Sequence, residues 1–435
     1  MMPETSLEQL VQERQFAGLL QTQAELFFRL GNTLLAIQDR PWNKRHYFQL
    51  INEADALETF LDDYGARFNR TYTLFRGLTA SLRGFALSGY SVSHLEGRMA
   101  RYGSLNWPDE DYPRALASLE RIQAFLRRTV ARLLEEIRSE AGSLGVEITP
   151  ESFPEANFLP IVARRCLPRN LGEAELVDEE QKIAEVATRY IRACEALARI
   201  GIRSMDDPRE RASFFARYCT EERARTCEAS IHNLQSSYDT HIQNTVLEAQ
   251  DERLPRLRAH VSAALHLVEA VTHLAHFMER HEDQGRDEAA KARIGALVPP
   301  AEVHAIVINE LLVWVHHHMQ SGYPIAAELL PSYTKVERLT IELPERLRLH
   351  ARPAALLVRV VNHFGTPVEM TIGGRSCNAG SILELLVAAG SQPEERTLVF
   401  HGDQRPLRDI QLLIEQELGE NGMDRFPPEL DYLKG

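Results

Sequence analysis

Leu349-His350-Ala351-Arg352-Pro353-Ala354-Ala355 is the stretch on which the fold of the C-terminal part turns. Just before it, Leu339-Thr340-Ile341-Glu342-Leu343 alternates apolar and polar residues, the two-residue period of a strand. After it, residues 355 to 364 carry apolar side chains at helical spacing, and Gly365 marks the stop. Pro353 suits a first helical turn, where the amide that proline lacks has no intrahelical partner anyway. The spacing predicts a strand, a loop and a helix. The His350 imidazole then stands just outside the helix N-terminus, with the Arg352 guanidinium two residues further on.

That arrangement has a chemical use. First-turn amides and the helix dipole favour a dianionic phosphoryl group. Arg352 adds charge-assisted hydrogen bonds to the same oxygens. Imidazole is a nucleophile when neutral, and an unperturbed ring is largely neutral near pH 7. Together these parts make a site that accepts a phosphoryl group and gives it away again. The bland alternative is a histidine that merely caps the helix, the preferred reading for an isolated match.

A second block, Asn378-Ala379-Gly380-Ser381-Ile382-Leu383-Glu384-Leu385, decides between them. With His350-Ala351-Arg352-Pro353-Ala354 it resembles the histidine-containing phosphocarrier protein (HPr) family of the bacterial sugar phosphotransferase system, over about residues 336 to 420. Ser381 stands thirty-one positions after His350, the family's separation. The resemblance implies that an Enzyme I-type donor, charged by phosphoenolpyruvate, phosphorylates His350 on a ring nitrogen. It implies Arg352 as the phosphate-stabilising residue, a protein acceptor such as an Enzyme IIA, and neither cofactor nor metal. It also implies a serine kinase acting on Ser381, where the competing reading is a helix N-cap without regulation. Two positions depart from the family: Arg348 stands where glycine is usual, and Gly380 where lysine is usual.

The rest of the chain bounds the class. At 435 residues it exceeds one ordinary core, so two or three domains are expected. A hydrophobic share of 44% and a charged share of 26% suit a folded, water-soluble protein. A net charge of −13 argues against sequence-independent nucleic-acid binding. No apolar run reaches the ~18 residues of a membrane span, and the polar start Met1-Met2-Pro3-Glu4-Thr5 does not read as a signal peptide. A cytoplasmic location is expected. Cys166, Cys194, Cys219, Cys227 and Cys377 show no zinc spacing and read as buried free thiols, with Cys219 and Cys227 on one helix.

Residues 1–335 read as helical nearly throughout, an antiparallel bundle or several stacked bundles. Ser6 and Gln9 suggest a capping box ahead of a helix over residues 7–38. Asn43 can cap a helix over 44–87 that Gly89 ends, with a shorter one over 91–102. Further helices are expected over 113–142, 174–200 and 208–281, the last broken or kinked at Pro255, and over 302–320 and 325–330. Prolines at 150, 154, 160 and 168 make 145–170 a connector. The expected division is therefore 1–150 and 151–335 helical, 336–422 phosphocarrier-like, and 423–435 a tail. Residues 336–422 read strand, helix, strand, strand, helix, strand, helix, an α+β open-faced sandwich with a Gly373-Gly374 hairpin turn.

Three other clusters invite function. His316-His317-His318 are adjacent on a helix and diverge by about 100° per residue, so a solvated or interfacial face is preferred to a metal site. His266, His273 and His276, with Glu269, share a helix face, but Thr272 breaks the Glu-x-x-His spacing of di-iron bundles. Arg127, Arg128 and Arg132 sit one turn from Glu135 and Glu136, which reads as ion-paired surface. The favoured function is phosphoryl relay through His350, with the helices as a docking or output module that also suits homo-oligomers. A non-relaying regulatory protein that keeps the fold is the alternative, and a helical metal protein with an appended switch is the third reading.

Overall fold

The computed structural model describes residues 10–103, 111–159, 179–282 and 287–434. The chain packs as two compact units. The first comprises residues 1–170, 197–232 and 259–318, and the second residues 171–196, 233–258 and 319–435.

The helical region opens with α1 (Glu13–Gln23), α2 (Glu25–Ala36), α3 (Lys44–Asp63), α4 (Thr73–Gly103) and α5 (Asp111–Ser143). It continues with α6 (Glu179–Ala198), α7 (Pro208–Tyr218), α8 (Glu221–His241), α9 (Val246–Gln250) and α10 (Arg253–Glu282). The last helices are α11 (Glu288–Leu297), α12 (Pro300–Ile306) and α13 (Val313–Ser332), with a π-helical stretch, Val307–Leu312, joining the final two. Among the described residues no single helix is long and apolar enough to cross a membrane.

Local chemistry explains several boundaries. Asn43 caps α3 as its side chain predicts: its Oδ1 accepts from the Arg45 and His46 amides, and its own amide donates to His46 Nδ1 at 3.0 Å. The helix expected over 44–87 is instead interrupted at Gly65, whose left-handed φ of 73° ends α3. Gly89 does not end a helix, because α4 runs through it. Its missing side chain serves packing: a Cβ there would lie 2.2 Å from the Tyr47 ring. That ring is buried and its hydroxyl donates to Gln123 Oε1 at 2.8 Å, which leaves it nowhere to retreat. Pro255 sits in the first turn of α10, where no intrahelical bond is lost, and the expected break falls just before it, at residues 251–252 between α9 and α10. The Ser6–Gln9 capping box lies outside the described residues.

In the second unit the C-terminal elements follow the expected order: β1 (Val336–Glu342), α14 (Ala351–Phe364), β2 (Val368–Ile372), β3 (Arg375–Asn378), α15 (Ile382–Ser391), β4 (Thr397–Asp403) and α16 (Gln404–Glu415). The sheet order is β1-β4-β2-β3 and every pairing is antiparallel. Gly373 and Gly374, at φ 53° and 80°, take the left-handed conformations that a two-residue hairpin between β2 and β3 requires. Val368, Met370 and Ile372 from β2 and Leu398 and Phe400 from β4 point into one core. Leu357, Val360 and Val361 of α14, Leu385 of α15, and Ile410 and Leu413 of α16 cover it. Burying a side chain such as Leu357 or Phe400 contributes about 1.5–3 kcal/mol.

Residues 423–433, expected as an appended segment, contribute Phe426, Leu430 and Leu433 to this core. Tyr432 stacks on His363 at 3.8 Å between ring centres, and its hydroxyl donates to Asp409 Oδ2 at 2.8 Å.

Candidate functional site

The loop from β1 to α14 is pinned by backbone and by burial. The Leu343 amide donates to the Arg396 carbonyl at 2.9 Å, and Leu343 and Leu347 are buried. The loop delivers His350 to the N-cap of α14 with extended backbone, φ −108° and ψ −172°. Its carbonyl accepts the first helical hydrogen bond, from Ala354 at 3.0 Å. Its side chain makes no capping bond and is 55% exposed. The ring is thus not spent on capping. The Ala351 and Arg352 amides open the helix and lack an intrahelical carbonyl, and Pro353 has no amide to satisfy. Arg352 is exposed at the same end of the helix.

The structure adds a residue that the sequence did not point to. Glu420 Oε1 lies 3.1 Å from His350 Nε2. A carboxylate only accepts, so a neutral ring facing it carries its proton on Nε2 and keeps its free lone pair on Nδ1. Glu420 follows a turn in which Glu417 and Leu418 hold left-handed φ values of 54° and 53°, a conformation that costs a non-glycine residue about 1–2 kcal/mol. Burial of the Leu418 side chain and an ion pair between Glu417 and Arg346 hold that turn. The sequence trace of this arrangement is slight: two separated acidic residues, Glu417 and Glu420, just past α16.

Both departures from the family pattern have local explanations. Arg348 has ordinary backbone, and its guanidinium turns back to the Glu345 and Leu347 carbonyls at 3.5 and 3.3 Å. Gly380 packs tightly: a Cβ would meet Asn378 Oδ1 at 3.2 Å and Val361 at 3.3 Å. Ser381 is the N-cap of α15, its Oγ accepting from the Glu384 amide at 3.4 Å.

The histidine clusters disperse. His266 Nδ1 bonds Glu269 at 3.0 Å and its ring lies 4.4 Å from that of His94. His276 Nδ1 instead meets Glu221 at 2.7 Å. Among the described residues no group of three or more His, Cys, Asp or Glu is placed to hold a metal ion. His316-His317-His318 is not simply a solvated face: His317 meets Asp111 at 3.3 Å and His318 is buried. Arg132 and Glu136 pair across helices, with Glu302 at 3.5 Å and Arg293 at 2.6 Å, not with each other. Cys219 ends α7, so it does not share a helix with Cys227, and burial pushes its thiol up to about 12.

Helices on one face of a four-stranded antiparallel sheet, with an exposed histidine at the N-cap position of the first helix whose ring makes no capping bond, define a phosphocarrier-type domain. Residues 338–415 match the family described as "PTS HPr component phosphorylation site". The chain is 34% identical over 80 residues to the HPr-like protein Crh of Bacillus subtilis (strain 168), a match spanning 18% of this chain and 94% of that protein. The chain belongs to the HPr family through this domain, and its role is that of a phosphocarrier or a regulator related to the phosphotransferase system. No solved structure matches it significantly.

Proposed function

We propose that the protein relays phosphoryl groups through His350. An Enzyme I-type protein, itself charged by phosphoenolpyruvate, presents a phosphohistidine. The Nδ1 lone pair of His350 attacks that phosphorus, a new P–N bond forms and the donor's P–N bond breaks. A histidine or cysteine on an acceptor such as an Enzyme IIA then reverses the exchange. Such a transfer needs positioning and charge stabilisation more than covalent help. The free amides of α14 and the Arg352 guanidinium supply that stabilisation. The observation that carries the reading is an exposed His350 ring at a helix N-terminus with its side chain uncommitted to capping.

The helical region acts in this reading as a docking or output module, and the protein meets its partners in the cytoplasm. Exposed Ile382, Leu383 and Val387 on α15 give those partners an apolar footing. Ser381 modification by a kinase would add negative charge at that same footing.

Incubation with phosphoenolpyruvate and Enzyme I tests the relay. The expected product is an acid-labile, base-stable label that is absent in His350→Ala and passes to an acceptor. The second reading, a regulatory protein that no longer relays, is favoured by one observation: the Glu420 carboxylate adds a negative charge beside the ring that would have to accept a dianionic group. Absence of transferable label, under conditions that charge an ordinary carrier, selects it.

A further inference from the structure

A second site lies in the first unit, in a cavity of about 320 Å³ walled by α3, α4, α8, α10 and the turn at residues 66–68. Five guanidiniums line it, from Arg67, Arg76, Arg83, Arg225 and Arg280, against a single lining carboxylate, Glu58. Such a concentration of one charge in a hollow is costly unless a counter-charge enters.

The arginines divide by role. Arg76 lies 2.8 Å from Glu58 Oε1 and 2.6 Å from Asp62 Oδ2, and Arg83 Nε lies 2.6 Å from Glu58 Oε2. Arg225 is held by Glu221 at 2.7 Å. These carboxylates fix three guanidiniums in place and are themselves fully engaged. Arg67 and Arg280 have no carboxylate partner among the described residues. Two uncompensated forks therefore face one hollow. His273 faces it too, without a hydrogen-bond partner among the described residues. Its ring is held neutral, since burial lowers it to about 4, and a neutral ring both donates and accepts. Phe277 and Leu87 supply an apolar wall.

We propose that this cavity binds a small phosphate monoester, with Arg67 and Arg280 taking the phosphate dianion and Phe277 and Leu87 contacting its uncharged body. Guanidinium forks match phosphate geometry. The volume lies at the low end of ligand pockets, which fits a metabolite and not a polymer. The site shares no residue with the His350 centre, so the two assignments stand or fall separately.

Calorimetric titration of the full chain at constant ionic strength tests it, with glycerol 3-phosphate, ribose 5-phosphate, inorganic phosphate and succinate as probes. At least one monoester is expected to bind, more tightly than inorganic phosphate or succinate. The Arg67→Ala/Arg280→Ala variant should weaken it at least tenfold, and His350→Ala should leave it unchanged. Both arginines are exposed and make no ion pair among the described residues, so the double variant keeps its fold, which circular dichroism checks. His273→Gln, with the arginines intact, should weaken binding as well. No heat from either monoester up to about 10 mM, above a ~1 mM dissociation constant, overturns the proposal. So does equal binding of succinate or inorganic phosphate, or full affinity in the double variant.

Discussion

His350 Nε2 lies 3.1 Å from Glu420 Oε1, so the imidazole at the mouth of α14 is held from its far side by a carboxylate. The two side chains are 55% and 36% exposed, and a pair this wet is worth about 0.2–1 kcal/mol. Glu420→Ala should therefore slow charging of His350 by up to about fivefold. Glu420→Gln, which keeps an acceptor oxygen, should stay near the parent rate. The check is the initial rate of labelling from phosphoenolpyruvate; identical rates in all three proteins would remove Glu420 as a positioning residue.

Arg352 has the larger expected effect, because in the proposed relay its contact is with the transferring group. Losing one charge-assisted hydrogen bond costs about 1.5–3 kcal/mol, or roughly 10- to 100-fold in rate. Arg352→Ala should show that loss in single-turnover transfer, and Arg352→Lys should recover part of it. Since Arg352 is exposed, its thermal midpoint should not move.

Gly89→Ala probes the helical unit. Its new methyl meets a Tyr47 ring that is buried and hydrogen-bonded to Gln123, and overpacking of this kind costs about 1–3 kcal/mol. Urea unfolding should show it. Combining it with Tyr47→Leu should cost less than the sum of the two single changes, because the second makes room for the first.

Stability should fall as the solution is acidified from pH 6.5 towards 4. Burial, helped by positive neighbours, lowers His94, His260 and His273 from 6.5 to about 4. At His94 the neutral form is fixed visibly, since Lys44 Nζ lies 2.7 Å from its Nδ1 and donates to it. In that window the unfolded chain binds protons that the folded one refuses, so the folded state loses ground as pH drops. Above 6.5 this contribution is complete. Urea midpoints at pH 7, 6 and 5 measure it, and His273→Gln should flatten the slope.

The sequence was most informative where signals were local. Alternation in 339–343, the Pro353 first turn, the Gly373-Gly374 hairpin and the Asn43 cap each depend on a few neighbours, and each appears as read. It misled where a local signal had a distant cause. Gly89 looks like a helix stop, yet its glycine answers to Tyr47, forty-two residues earlier. Glu420 and the five cavity arginines lie far apart in the chain, and only folding brings them to their sites, so no spacing announces them.

The closing segment of the chain has a practical meaning for the site. Tyr432 grips His363 in the last turn of α14, while His350 stands at the opposite end of that same helix, thirteen residues and roughly 20 Å away. Phe426, Leu430 and Leu433 seal the hydrophobic interior beneath it. In the proposed relay, a protease that clipped the chain after Gly422 would spare every group assigned to phosphate and still silence the carrier, by unseating the helix that aims His350.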